Sequence, residues 1–108
     1  MTLVTKTNDS KSRQSYHIGF LLQPNFTMMA LTSAIEPLRM ANQLSGEKLY
    51  AWTMISEDGA PVTASDGLSV IVDCAIEHNS LYHAVVVCGG IAIKDTITKA
   101  NISWLNFL

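Results

Sequence analysis

The chain has 108 residues, enough for one folded domain and not for two. Hydrophobic residues make up 48% of it, charged residues only 15%, and the formal net charge is −2. That composition buries surface and argues against a segment that itself coats nucleic acid, and no apolar run approaches the ~20 residues a membrane span requires.

Residues 1–16 are polar, rich in Thr, Ser, Lys and Asn, and without period, which reads as a disordered leader. No apolar stretch follows its charges, so it is no secretory signal. Arg13 is its one arginine and Asp9 is acidic, so it is no mitochondrial presequence either. Two cysteines, Cys74 and Cys88, in a chain with no such signal fit a reducing cytoplasm, the expected location.

Ile18 to Leu22 is apolar throughout, as a central parallel strand covered on both faces would be. Thr27 to Leu44 has helical period, with Met28, Leu31, Ala34, Ile35, Leu38 and Ala41 or Met40 on one stripe. Asn25 or Thr27 is placed to cap its start and Ser45-Gly46 to end it. Pro37 inside it predicts a kink near Glu36. Met28-Met29 reads as core rather than binding surface.

Tyr50 to Ser56 is the second strand and Asp58-Gly59 a turn. Val62 to Ala64 and Leu68 to Val72, around Asp66-Gly67, predict a small hairpin. Ala75 to Leu81 reads as an irregular connection and Ala84 to Cys88 as the next core strand. Asp95 is placed to cap a last helix over 96–108, with Ile97, Ile102, Leu105 and Leu108 inward. The order predicts an α/β, flavodoxin-like, mainly parallel sheet with helices on both faces and a small β-hairpin excursion. Sheets of this type usually have five or more strands. Three core strands and a hairpin make residues 17–108 either a minimal domain or an incomplete, N-terminal half of such a domain.

Ligands of open α/β sheets bind beyond the strands' C-terminal ends. That rule singles out Gln23, Asn25 and Phe26 after the first strand, and Cys88, Gly89 and Gly90 after the last. Phe26, and less so Trp52, would offer an aromatic face to a quaternary ammonium group. Cys88 is either a crevice thiol or, more often for this residue type, a small buried hydrophobe. Gly89 and Gly90 either present amides to an anion or permit a tight turn. Glu36 and Arg39, spaced i,i+3, read as a surface ion pair, with an interface or carboxylate clamp as the sharper alternative. The spacing of Cys74, His78, His83 and Cys88 matches no usual zinc pattern, so no metal site is expected. No cofactor fingerprint or nucleophile elbow occurs, so no catalytic residue is assigned.

Glu36-Pro-Leu-Arg39-x-Ala-Asn42, the series Tyr50-x-Trp52, Ser56-x-Asp58-Gly59 and Ser65-x-Gly67, and the strand end Val85-Val-Val-Cys-Gly-Gly90 together resemble a known family. It is the N-terminal, glutamine-amidotransferase-like domain of AraC-type bacterial transcription regulators, within the PfpI/ThiJ superfamily. The subgroup it is most similar to regulates glycine betaine and carnitine catabolism. The resemblance covers Ile18 to about Trp104. It implies a non-catalytic domain that senses a small-molecule effector, a quaternary amine or amino-acid-like metabolite, and forms a homo-oligomer. DNA contact would fall to a helix-turn-helix region absent from this chain. The rival is a fragment of a PfpI/ThiJ-type cysteine hydrolase or glyoxalase-like enzyme. Against it, the chain ends before the nucleophilic Cys elbow, and Phe26-Thr27-Met28-Met29 lacks the acid those enzymes place in the first turn.

Overall fold

A computed structural model describes residues 2–5, 15–77, 81–90 and 98–107. In chain order the elements are β1 (Thr2–Thr5), β2 (Tyr16–Leu22), α1 (Met28–Ser45), β3 (Tyr50–Ser56), β4 (Val62–Thr63), β5 (Ser69–Val70), β6 (Cys74–Ala75), β7 (Ala84–Cys88) and α2 (Lys99–Phe107). Five strands form one sheet in the order β1-β7-β2-β3-β6. The β7-β2, β2-β3 and β3-β6 pairs are parallel, and β1 lies antiparallel on β7. β4 and β5 form a separate antiparallel hairpin.

Alternation along β2 divides the core, because successive side chains point to opposite faces. Ile18, Phe20 and Leu22, with Val86 and Cys88 of β7, make one apolar face. α1 covers it with buried Leu31 and half-buried Met28, Ala34, Ile35 and Leu38. Leu21, Ile55, Val85 and Val87 make the other face, covered by Trp104 and Leu105 of α2. Burial on both sides explains why β2 and β7 are apolar without alternation.

α1 runs unbroken through Pro37. Gly46 ends it at φ 73°, its N–H bonded to the Asn42 carbonyl, a left-handed cap that favours glycine. Thr27 holds the N-cap position but makes no side-chain cap bond. Its N–H instead donates to the Gly89 carbonyl at 3.3 Å, tying the helix start to the end of β7. Asn42 gives its motif a structural meaning. Its Nδ2 donates to the Tyr50 carbonyl and its Oδ1 accepts the Tyr50 N–H, both at 2.9 Å, so one amide pins the helix end to the start of β3. Asn42→Leu leaves that strand start unpaired and is expected to lower the unfolding free energy by about 1–3 kcal/mol, read in urea denaturation.

The structure departs from the sequence expectations in four places. Thr2–Thr5, expected to be disordered, is a strand paired with β7 from Thr2↔Val87 to Thr5↔Ala84. Thr-Leu-Val-Thr is short but rich in β-forming types, and β7 offers an edge to pair with. Residues 6–14 lie outside the described residues. Cys74–Ala75, expected to be irregular, extends the sheet beside β3. Asp73 prepares that pairing, its Oδ2 accepting the Met54 N–H and its own N–H donating to the Met54 carbonyl, both at 2.8 Å. Met29, expected in the core, is 75% exposed, because only Met28 falls on the inward stripe. In α2, Ile102 faces out, while Asn101, Trp104 and Leu105 face in at i, i+3, i+4 spacing. The expected cap Asp95 and the inward Ile97 and Leu108 lie outside the described residues. Thr98 caps instead, its Oγ1 accepting the Asn101 N–H at 3.1 Å.

Candidate functional site

The C-terminal ends of β2 and β3 open into a cleft of ≈ 340 Å³. Gln23, Pro24 and Asn25 form one wall, Ser56, Glu57 and Asp58 the second. Pro61, Val62 and Thr63 at the hairpin form the third, and Thr98, which caps α2, and Asn101 within it complete the lining. That volume is at the small end of ligand pockets and fits a metabolite. The lining includes no aromatic and no basic side chain among the described residues.

The backbone of the 23–27 loop is bonded at nearly every step. Gln23 N–H donates to the Cys88 carbonyl at 3.0 Å, Asn25 N–H to Thr63 at 2.9 Å, and Phe26 N–H back to Gln23 at 3.1 Å. The Phe26 carbonyl accepts the Ser65 N–H at 2.8 Å. Asn25 sits at φ 63°, a left-handed position that asparagine tolerates better than most residues. The loop is a clamped wall, not a free strand end.

Gln23 is the chemically unusual member. It is 2% exposed, and its Nε2 donates to Asn101 Oδ1 at 2.9 Å; Asn101 is itself 1% exposed. Among the described residues Gln23 Oε1 and Asn101 Nδ2 have no hydrogen-bond partner. Leaving a buried polar group unmatched costs about 1–3 kcal/mol. Across the cleft, Thr98 Oγ1 donates to Glu57 Oε1, and Asp58 Oδ1 accepts the Ala60 N–H at 3.0 Å. Glu57 and Asp58 bring two carboxylates to the lining, and no cation stands among its described residues.

Of the six residues singled out by the crevice rule, the cleft gathers two, Gln23 and Asn25. Phe26 is 0% exposed, packed into the face under α1, and is absent from the lining. Cys88 is likewise fully buried in that face, and burial pushes its thiol up to about 11. It is a thiol, not a thiolate, near neutral pH. Gly90 serves close packing, since a Cβ there would overlap the Asn25 carbonyl oxygen, and Phe26 and Gly90 form an isolated bridge, while the Gly89 carbonyl accepts the Thr27 N–H. Trp52 packs half-buried against the α1-side core, as its strand position predicts. Glu36 and Arg39 form an exposed ion pair at 2.7 Å, and Arg39 also donates to Gln43 Oε1 at 2.8 Å. Sequence reasoning missed Ser56, Glu57, Asp58, Thr98 and Asn101. The crevice rule, applied to the end of β3 as well as β2, would have found the first three.

At the opposite end of the sheet a second polar group joins β2 to β7. His17 N–H donates to His83 Nδ1 at 2.9 Å, His83 N–H to the His17 carbonyl at 2.8 Å, and His17 Nε2 lies 2.7 Å from Thr53 Oγ1. Tyr16 stacks on His83 at 4.7 Å. Burial, then the nearby His83 and Lys48, hold the His17 pKa below its ordinary 6.5. The folded state thus binds its proton less readily than the unfolded chain. Its contribution to stability is full above pH 6.5 and is lost as the pH falls through the lower, folded value. Urea midpoints measured from pH 7.5 to 5 are expected to drop more steeply for the native chain than for His17→Gln.

The mainly parallel sheet with helices on both faces and an antiparallel hairpin defines an α/β fold of the DJ-1 type. A DJ-1 superfamily protein from Agrobacterium tumefaciens superposes at TM-score 0.54 and 20% identity, over 83% of this chain and 47% of that one. An AraC family transcriptional regulator from Pseudomonas putida superposes at TM-score 0.65 and 30% identity, over 78% of this chain and 51% of that one. No family model matches the chain. Among curated proteins it is 46% identical over 95 residues to the HTH-type transcriptional regulator GbdR of Pseudomonas aeruginosa, which covers 88% of this chain and 26% of GbdR. It is 42% identical over 94 residues to the HTH-type transcriptional regulator CdhR of the same species, covering 87% of this chain and 28% of CdhR. The chain is homologous to AraC-type regulators with a DJ-1/PfpI-like fold, and it spans about a quarter of the length of these curated relatives.

Proposed function

We propose that the chain is the effector-sensing and oligomerisation part of an AraC-type transcription regulator and that it is not a catalyst. The observation that carries this reading is the cleft at the ends of β2 and β3, of metabolite size and walled by Gln23, Asn25 and Asn101. The named regulators among its relatives support it. The raised thiol pKa of Cys88 favours a packing role over a nucleophilic one. No described helix is long and apolar enough to cross a membrane.

The outer face of α1 suits self-association. Met29, Met40 and Leu44 are 75%, 48% and 81% exposed and lie on one helical stripe with exposed Ser33 and Pro37. In a whole regulator, two copies joined this way would hold two helix-turn-helix units at a fixed spacing, and effector binding that altered the joint would alter the fit to two half-sites. The test is analytical ultracentrifugation of the chain with and without glycine betaine, carnitine or an amino acid. The reading expects a self-associating chain, loss of association in Leu44→Glu, and a shift in association constant on saturation of the cleft. A monomer unaffected by any of these molecules overturns it.

A further inference from the structure

We infer that Asn42 and Asp73 guard the outer edge of β3. Their side chains stand in for a neighbouring strand there, and so bar the β3 of a second copy from pairing with it. The inference concerns a different part of the molecule from the cleft and does not depend on the sensor reading.

Alternate residues of a strand turn their backbone N–H and C=O to the same side. Tyr50, Trp52, Met54 and Ser56 turn theirs away from β2, as the partners of three of them show. Ser56 is met by the end of β6: its carbonyl accepts the Ile76 N–H at 3.1 Å, beside the Ser56↔Ala75 pair. β6 has only two residues and reaches no further back along β3 than Ile55. Toward the start of β3, side chains take over. Asn42 meets Tyr50 with both halves of its amide, Oδ1 accepting the N–H and Nδ2 donating to the carbonyl, each at 2.9 Å. Asp73 meets Met54 in the same way, its Oδ2 accepting the N–H and its own N–H donating to the carbonyl, each at 2.8 Å. One plug comes from the end of α1 and the other from the residue before β6, so two unrelated elements converge on one edge.

An open edge attracts a strand because its N–H and C=O groups lack partners. At Tyr50 and Met54 those groups already have partners at strand-like distances. A strand added there exchanges one set of hydrogen bonds for another and gains little. Tyr50 and Met54 are four residues apart, about 13 Å along the strand, so a strand of ordinary length laid against Trp52 has to displace at least one plug.

The test is the double variant Asn42→Ala with Asp73→Ala, followed by sedimentation velocity over a range of concentrations and by hydrogen exchange. It frees the Tyr50 N–H and carbonyl and the Met54 N–H. It is expected to form assemblies that grow with concentration and that Leu44→Glu does not prevent. As they form, exchange at Tyr50, Trp52 and Met54 is expected to slow by about tenfold or more. Gly90→Ala also destabilises the chain but leaves the β3 edge bonded, and is expected to form no such assemblies. Asp73→Asn keeps an acceptor for the Met54 N–H and is expected to behave as the native chain. A double variant that associates no further than the native chain overturns the proposal, as do assemblies that leave those three amides unprotected. Assemblies of the same kind from Gly90→Ala or Asp73→Asn overturn it too. A monomeric native chain beside an assembling double variant fails the sensor reading's association and supports the guard.

Discussion

Replacing Trp104 with alanine is expected to lower the unfolding free energy by about 3–5 kcal/mol, the range for deleting a fully buried aromatic side chain. Trp104 is 0% exposed and is the largest fully buried side chain described. It packs against Leu21, Ile55, Val85 and Val87, meets the Tyr82 ring edge-on at 6.4 Å, and donates its indole N–H to the Glu77 carbonyl at 2.8 Å. α2 has only nine residues, too few to hold helical shape in water without packing. Trp104→Ala should therefore release the helix as well as open a void, and Asn101 would leave the cleft with it. The measurement is urea denaturation together with hydrogen exchange of the α2 amides; exchange as slow as in the native chain would sink the account. Trp104→Phe keeps a ring but drops the donor and is expected to lose only about 1–2 kcal/mol.

The second large effect is at Gly90. An added methyl group meets backbone, the Asn25 carbonyl oxygen, rather than the flexible end of a side chain. Relief requires the 23–27 loop or the end of β7 to move. Backbone shifts of that kind cost about 1–3 kcal/mol, and here they also strain the Phe26–Gly90 bridge and the Thr27-to-Gly89 bond. Gly90→Ala is expected to shift the urea midpoint accordingly and to displace the Asn25 and Ser65 amide resonances. Gly46→Ala, where open space surrounds the added atom, pays only for its left-handed φ of 73° and serves as the milder comparison.

Much of the sheet is legible in the sequence because burial on both faces writes continuous apolar runs. Tyr50–Ser56 and Ala84–Cys88 fall where those runs predict, and α1 is displaced by only one residue from its predicted bounds. What escaped is what depends on a partner element. Thr2–Thr5 and Cys74–Ala75 are too short to carry a period, and each is a strand because a neighbouring edge was available to pair with. On α2 Leu105 faces in as its spacing predicts and Ile102 does not, since Trp104 outweighs the smaller apolar residue once the helix docks. The site divides the same way. The crevice rule finds Gln23 and Asn25, but a loop position does not reveal which way a ring points. Phe26 therefore looked like a binding surface from its place in the chain and is core in the fold. Asn101 is 78 residues from Gln23, and nothing local marks it as the partner.

The bonds of the 23–27 loop also have a mechanical consequence. Two elements hold four of the five residues, the end of β7 through Gln23 and Thr27 and the hairpin through Asn25 and Phe26, and α1 starts at the next residue. Such a joint transmits displacement instead of absorbing it. Lifting the hairpin tip must drag Asn25 and Phe26, and because Thr27 is the first post of α1, the helix start is carried with them. The hairpin is a cleft wall and the far side of α1 bears Met29, so the loop is placed to couple the two.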